Sequence, residues 1–292
     1  MNFLLKNKFL IISPHLDDAV LSCGASMAQW QEEGAEVIVA SIFTSCAEYN
    51  EKMNAVYQNR RKQDIEALSF LGAKAIHLDF TDAPFRNGNY HSFSTILFNH
   101  NAEDKELEKS IALAISKLLH EIKPNQVCFP LGVGGHIDHH LVHKSSYHID
   151  FEALKIQFYE ELPYALVPGW TEIRLQKLGY AYELSPLLNL PSSLLDIKLP
   201  FVHNYTMDEI DKKASNLLYL EELNSLKTEK VITSKLTREK SDFDKHFFKK
   251  KCEAILYYQT EWPSLFGDAK NIKTILNPDS GEAYSESFWK KN

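Results

Sequence analysis

The sequence predicts an α/β chain folded as a Rossmann-like three-layer sandwich around a mostly parallel sheet. Two observations predict it. Short apolar, β-branched runs alternate with helix-period segments through the first half, and groups of His and Asp follow directly on two of those runs. Phe9 to Ile12 reads as the first buried strand, and Ala19 to Glu33 as a helix that stops at Gly34. Val37 to Phe43 is a second strand, and a helix from about Glu51 to Leu71 ends at Gly72. Ala75 to Phe80 is a third strand. Helical spacing runs from Glu103 to Ile122, where Pro124 closes it. Val127 to Pro130 is the next strand, a Gly-rich turn covers Leu131 to Gly135, and Ile137 to His148 forms a helix. Lys155 to Tyr159 is a further strand. Strands joined through helices require crossovers, which place helices on both faces of a parallel sheet.

Past Leu162 the rhythm changes. Pro163, Pro168, Pro186, Pro191 and Pro200 divide the chain, with strands expected near Ala181 to Leu184 and Asp196 to Phe201. A long helical region is expected over Met207 to Tyr258. With no repeat, low-complexity tract or linker, residues 1–292 read as a single domain. Its C-terminal third, from about residue 163, adds helices and loops around the sheet.

A length of 292 residues is ample for a large core, and 44% hydrophobic with 24% charged residues is an ordinary globular composition. The formal charge of −7 disfavours nucleic acid as a partner, since phosphate neutralisation needs a concentrated basic face. Lys249 to Lys251 reads as a solvated helix face. Cys23, Cys46, Cys128 and Cys252 have neither zinc-finger spacing nor a disulfide-dense pattern, so a reducing, cytoplasmic location is expected. The apolar run at Phe9 is too short to span a bilayer, and no permanent membrane anchor is expected. Oligomeric state is not legible.

The chemistry-bearing residues fall in two groups. Ser13-Pro14-His15-Leu16-Asp17-Asp18 stands where the first strand meets its helix, and Gly134-Gly135-His136-Ile137-Asp138-His139-His140 follows a later strand. Ligands of open α/β sheets bind outside the carboxyl ends of strands, so both groups face the same edge. An acidic pair can also serve as a helix N-cap complementing the dipole, and a His cluster as a solvent-facing turn. Three imidazoles in five residues are unusual outside metal or proton-transfer sites. Three N and O ligands with one position open describe a catalytic zinc site.

These residues resemble the PIG-L/LmbE-type de-N-acetylases, which carry a His-Pro-Asp-Asp-Glu type motif after the first strand and His-x-Asp-His near mid-chain. Here the motifs read His15-Leu16-Asp17-Asp18-Ala19 and His136-Ile137-Asp138-His139. Arg61-Lys62-Gln63-Asp64 leading to Leu71-Gly72 is similar to the family's Arg-x-x-acidic helix, and Asp82 to its loop aspartate. Glu161-Leu162-Pro163-Tyr164 is similar to an acidic-Leu-Pro-Tyr segment of bacterial members. Leu16 and Ala19 depart from the usual Pro and Glu, which bears on subfamily and substrate more than on the metal.

The resemblance implies an LmbE-like fold and Zn2+, or another divalent ion, held by His15, Asp18 and His139. It implies Asp17 as general base, His136 as the group that stabilises an oxyanion or protonates the leaving amine, and Asp138 as a carboxylate that orients His136 or another imidazole. Arg61 and Asp82 are implied to bind substrate. The implied reaction removes acetyl from an N-acetylglucosamine-type sugar or glycoconjugate, a small molecule. A metal-dependent amidase or esterase on a non-sugar acyl compound, and a non-catalytic sugar-binding relative, remain open. His143, one turn past His139, has the spacing of a helical metal pair but reads better as packing, as does His77 within its strand.

Overall fold

The computed structural model of the protein describes residues 7–47, 49–86, 88–99, 104–151, 154–182, 190–206, 208–226, 236–277 and 284–291. A seven-stranded sheet runs through the molecule in the order β3-β2-β1-β4-β5-β7-β6. Its strands are β1 (Lys8–Ser13), β2 (Glu36–Ser45), β3 (Lys74–Thr81), β4 (Gln126–Pro130), β5 (Lys155–Tyr159), β6 (Leu236–Phe243) and β7 (Tyr284–Lys291). The first five pair in parallel, and β7 adds antiparallel to β5 and to β6. Central strands covered on both faces should read as unbroken apolar runs rather than alternating ones. They do: Leu10, Ile11 and Ile12 of β1, and Val37 to Phe43 of β2, lie in the core.

The helices are α1 (Asp18–Glu32), α2 (Glu51–Phe70), α3 (Phe93–Phe98), α4 (Asp104–Ile122), α5 (Ile137–Ser145), α6 (Trp170–Lys177), α7 (Pro200–Asn204), α8 (Glu209–Ser225), α9 (Lys245–Ile255), α10 (Trp262–Phe266) and α11 (Asn271–Leu276). Two expectations fail in the C-terminal third. Asp196 to Phe201 is not a strand: a short 3-10 turn, Leu194–Asp196, leads into α7, where Pro200 takes the first helical position and its missing N–H costs nothing. Met207 to Tyr258 is not one helix but α8 and α9 separated by the edge strand β6. Strand β6 carries Thr237 to Lys240 exposed, a charged pattern that suits an edge and resembles a solvated helix face in sequence. The strand expected over Ala181 to Leu184 lies partly outside the described residues; Ala181 and Tyr182 are irregular.

The edge pair is tied to the first helix by a buried ion pair. Lys251 Nζ of α9 lies 2.8 Å from Glu286 Oε1 of β7, and the Glu286 carboxylate also accepts from Ala25 N and Ser26 N of α1. Helix α9 comes so close to α1 that a Cβ on Gly24 would sit 3.0 Å from Lys251 Cγ. Glu160, just after β5, accepts from Trp289 Nε1 and Arg238 Nη2, which ties the antiparallel edge to the parallel core. Among the described residues no helix is long and apolar enough to cross a membrane.

Candidate active site

Both sequence motifs stand at the carboxyl ends of neighbouring strands, β1 and β4. Ser13 Oγ, at the end of β1, donates to His15 O and accepts from Ala19 N, turning the chain sharply into α1. Asp18, in the first turn of α1, accepts from His15 N at 2.8 Å and faces the His15 ring, with Oδ2 3.1 Å from Nδ1. After β4 the chain passes through Gly132 to Gly135. Gly134 and Gly135 have φ of +85° and +80°; a Cβ at Gly134 would meet the Tyr164 ring at 2.6 Å, and one at Gly135 would meet Leu97 O at 2.5 Å. Only glycine fits both the backbone and the space. That turn aims His136 and His139 back toward His15.

His139 Nε2 lies 3.3 Å from the same Asp18 oxygen that faces His15. His139 is fully buried, and its Nε2 has no hydrogen-bond partner. Bonds of roughly 2.1 Å place tetrahedral ligand atoms about 3.4 Å apart. The 3.1 and 3.3 Å separations fit that requirement, and the orphaned nitrogen is the atom an ion would satisfy. His15, Asp18 and His139 therefore form a donor set compatible with a divalent ion; His15, His136 and Asp138 form a second close group.

The remaining carboxylates divide by environment. Asp17 occupies the N-cap position of α1 but makes no capping bond; its side chain lines a cavity instead. Burial, then the neighbouring Asp18 charge, pushes its carboxyl up to about 8. Asp138 is fully buried and faces His15 rather than His136, with Oδ2 3.1 Å from His15 Nε2. The same oxygen accepts from Ala83 N, and Oδ1 lies 2.5 Å from Arg86 Nη1. His136 Nδ1 accepts from Asp138 N at 3.2 Å, which puts the proton of a neutral ring on Nε2. Burial, then His15 and His139, holds His136 well below the ordinary imidazole range. His15 behaves oppositely: burial opposes its charge, but Asp82, Asp138 and Asp18 outweigh it and hold the ring well above that range. For His139, burial is outweighed by Asp18 and then Glu161, raising it to about 9.

The cavity has a volume of about 340 Å³, with His15, Asp17, Asp18, Asp82 and His136 on its floor. Asp82 Oδ1 is 3.5 Å from His15 Nε2, and its Oδ2 accepts from Tyr57 Oη at 2.5 Å. The arginine expected at the cavity is displaced by one position. Arg61 does not line it: Arg61 Nε donates to Thr44 O, and its guanidinium pairs with Asp79. Arg60 lines it instead, 3.8 Å from Asp82 and with Nε 2.8 Å from Glu261 Oε1. The helical period carries the reason. Tyr57, Gln63, Asp64, Ala67 and Leu68 are the buried face of α2; both arginines lie one turn from Tyr57 and from Asp64, but Arg60 falls nearer the centre of that face and Arg61 at its edge, where Thr44 and Asp79 hold it.

Three further residues were not legible as functional. Glu261 comes from the loop before α10, and only folding brings it to Arg60. Tyr57 gave no signal beyond its place on the α2 face. Glu161 was visible as part of an acidic-Leu-Pro-Tyr segment, yet nothing in the sequence showed its contacts with His139 and the glycine turn. Among the described residues His143 Nδ1 donates to Pro130 O and Nε2 pairs with Tyr147 Oη, and His77 pairs with Asp64, so both act in packing. Leu16 and Ala19 are buried and absent from the cavity wall.

Comparison with known proteins places this geometry among relatives. Residues 10–149 match the PIG-L model, described as GlcNAc-PI de-N-acetylase. The 2'-N-acetylparomamine deacetylase of Niallia circulans is 24% identical over 212 residues, spanning 60% of this chain and 76% of that protein. The Streptomyces fradiae protein of the same name is 28% identical over 170 residues, spanning 56% of this chain and 59% of that protein. Among solved structures, the A40926 pseudoaglycone deacetylase Dbv21 superposes with a TM-score of 0.62 at 24% identity, over 98% of this chain and 97% of that one. The zinc-inhibited form of teicoplanin deacetylase Orf2 gives 0.66 at 22% identity, over 97% of each chain. The seven-stranded, mostly parallel sheet is thus the architecture of LmbE-like deacetylases. The match to the PIG-L family model spans residues 10–149, the part of the chain that carries both His/Asp motifs.

Proposed function

We propose that the protein is a zinc-dependent hydrolase that removes the acetyl group from an N-acetylglucosamine-type sugar or glycoconjugate. The observation that carries the reading is the shared Asp18 oxygen between His15 Nδ1 and the orphaned His139 Nε2, beside a cavity lined by His15, Asp17 and Asp18. His15, Asp18 and His139 would hold the ion, which supplies Lewis acidity toward a carbonyl oxygen and toward water. The deacetylases named among its relatives support the reaction class.

The chain's own groups have complementary tasks. Asp17, with its carboxyl near 8, is suited to take a proton from the attacking water. His136 presents an Nε2–H as a neutral donor toward the developing oxyanion, and the proton that Asp17 takes from the water passes to the departing amine. Asp138 holds His15 at Nε2, so that Nδ1 faces Asp18. Asp82 and Arg60 offer an acceptor and a donor fork to sugar hydroxyls, with Arg60 in the place expected of Arg61. Four free cysteines support a reducing, cytoplasmic setting.

The test is elemental analysis of purified protein combined with acetate release from a panel of N-acetyl sugars and simple N-acyl amines. Stoichiometric zinc with chelator-sensitive turnover of the sugars is expected. Full activity after complete chelation overturns the reading, and turnover confined to non-sugar amides replaces the substrate class.

A further inference from the structure

Glu161 is a carboxylate the reaction above does not use. It is fully buried, in the segment after β5, and three groups converge on it. Oε1 accepts from Gly132 N at 2.6 Å and lies 3.3 Å from His139 Nδ1, while Oε2 accepts from Val133 N at 3.1 Å. A buried charge is kept only where bonds satisfy it, and here two backbone donors and an imidazole do so. The neighbouring residues Pro163 and Tyr164 line the cavity, and the Tyr164 ring stands edge-on to His139 with centroids 5.3 Å apart.

We infer that Glu161 is a positioning residue for the metal: it fixes His139 with the proton on Nδ1, leaving Nε2 free to ligate, and locks the glycine turn that carries the ring. The inference rests on the metal site proposed above. The geometry separates two contributions. The backbone bonds hold the turn between β4 and α5; the contact with Nδ1 sets the tautomer and raises the basicity of the ligand nitrogen. A carboxylate behind an imidazole ligand changes metal affinity by about 10- to 100-fold. A glutamine at this position keeps the size and one acceptor. It loses the charge toward His139, and its amide NH2 cannot accept from Val133 N.

The experiment measures zinc affinity by competition with a chromophoric chelator, and the visible spectrum of the cobalt-substituted protein. Wild type, Glu161→Gln and Glu161→Asp are compared. Arg174→Lys is the control for a merely structural role: Arg174 Nε donates to Leu131 O, and the guanidinium packs against Gly132 of the same turn. Expected are a 10- to 100-fold loss of zinc affinity and an altered cobalt spectrum for Glu161→Gln, with Arg174→Lys less heat-stable but within threefold of wild-type affinity. Glu161→Asp keeps the charge but not the reach, and a loss of at least fivefold is expected; it carries the test where the glutamine variant does not fold. Zinc affinity within threefold of wild type in both Glu161 variants overturns the inference while leaving the metal site intact. So does an equal loss in Arg174→Lys, which would make the effect one of turn stability. A wild-type protein that binds no divalent ion overturns the metal site itself.

Discussion

Asp17 and Asp18 are adjacent in sequence and opposite in environment. Burial opposes ionisation of both, but His139 and His15 hold Asp18 well below the usual carboxylate range, whereas Asp17 is raised to about 8. The ligand is thereby ionised and the base is poised near neutrality, a division set by neighbours and not by residue type. Replacing Asp17 with Asn is expected to leave zinc stoichiometry unchanged and lower kcat by about 10²- to 10⁴-fold. Retained turnover in that variant would remove Asp17 from the mechanism. His15→Ala is expected to lose zinc on dialysis. The pH dependence follows from the imidazoles. In ion-free protein His139 is raised to about 9, so its stabilising contribution is fully present below about 6.5 and is lost as pH rises through 9. Asp17 works in the same direction, since its ionisation in the folded chain is deferred to about pH 8. Chelated protein should therefore melt at falling temperature between pH 6.5 and 9. Zinc binding must displace the protons of His15 and His139, so affinity should rise over that window with proton release, readable by calorimetry in buffers of different ionisation enthalpy. Equal affinity at pH 6.5 and 8.5 would contradict this.

At the scale of elements, the cavity wall depends on a short helix held from outside. Helix α3 supplies Phe93, Ile96 and Leu97 to the wall, and its first amides, Phe93 N and Ser94 N, donate to Asp211 of α8. Asp211→Ala is expected to cost about 1 kcal/mol, the usual loss for a helix N-terminal acceptor, and to raise KM while kcat is retained. Steady-state kinetics on the best acetylated sugar reads this directly; a fall in kcat at constant KM would place the effect on the catalytic groups. The elements around the metal groups were legible because their signals are local. A buried parallel strand is a short apolar run, and a helix face repeats every 3.6 residues. The elements past residue 163 were not. Strand β6 has the charged pattern of a solvated helix, and its partner β7 lies over 40 residues away in sequence. The one-position displacement from Arg61 to Arg60 has the same origin, for which arginine faces inward depends on the packing of α2 and not on the motif alone.

For the whole molecule, the buried Lys251–Glu286 pair joins the C-terminal elements to α1, whose first turn carries Asp18. Glu286→Gln leaves the Lys251 ammonium without a charge partner in the interior. A loss of roughly 3–5 kcal/mol in urea denaturation is expected. Zinc affinity of the folded fraction should be unchanged, because the pair lies behind α1 and does not line the cavity. A stability change under 1 kcal/mol would show that water reaches the ammonium.

By itself the sequence determined the α/β class, the parallel core strands, and the two His/Asp motifs that end β1 and β4, because each is written in contiguous residues with a local period. What only tertiary structure decided is how those groups divide. Folding placed one Asp18 oxygen between His15 and His139, turned Asp138 toward His15 rather than His136, brought Arg60 and Glu261 together on the cavity wall, and set Glu161 behind His139. Each of these joins residues through space, where burial and neighbouring charge, and not residue type, fix what a carboxylate or an imidazole can do.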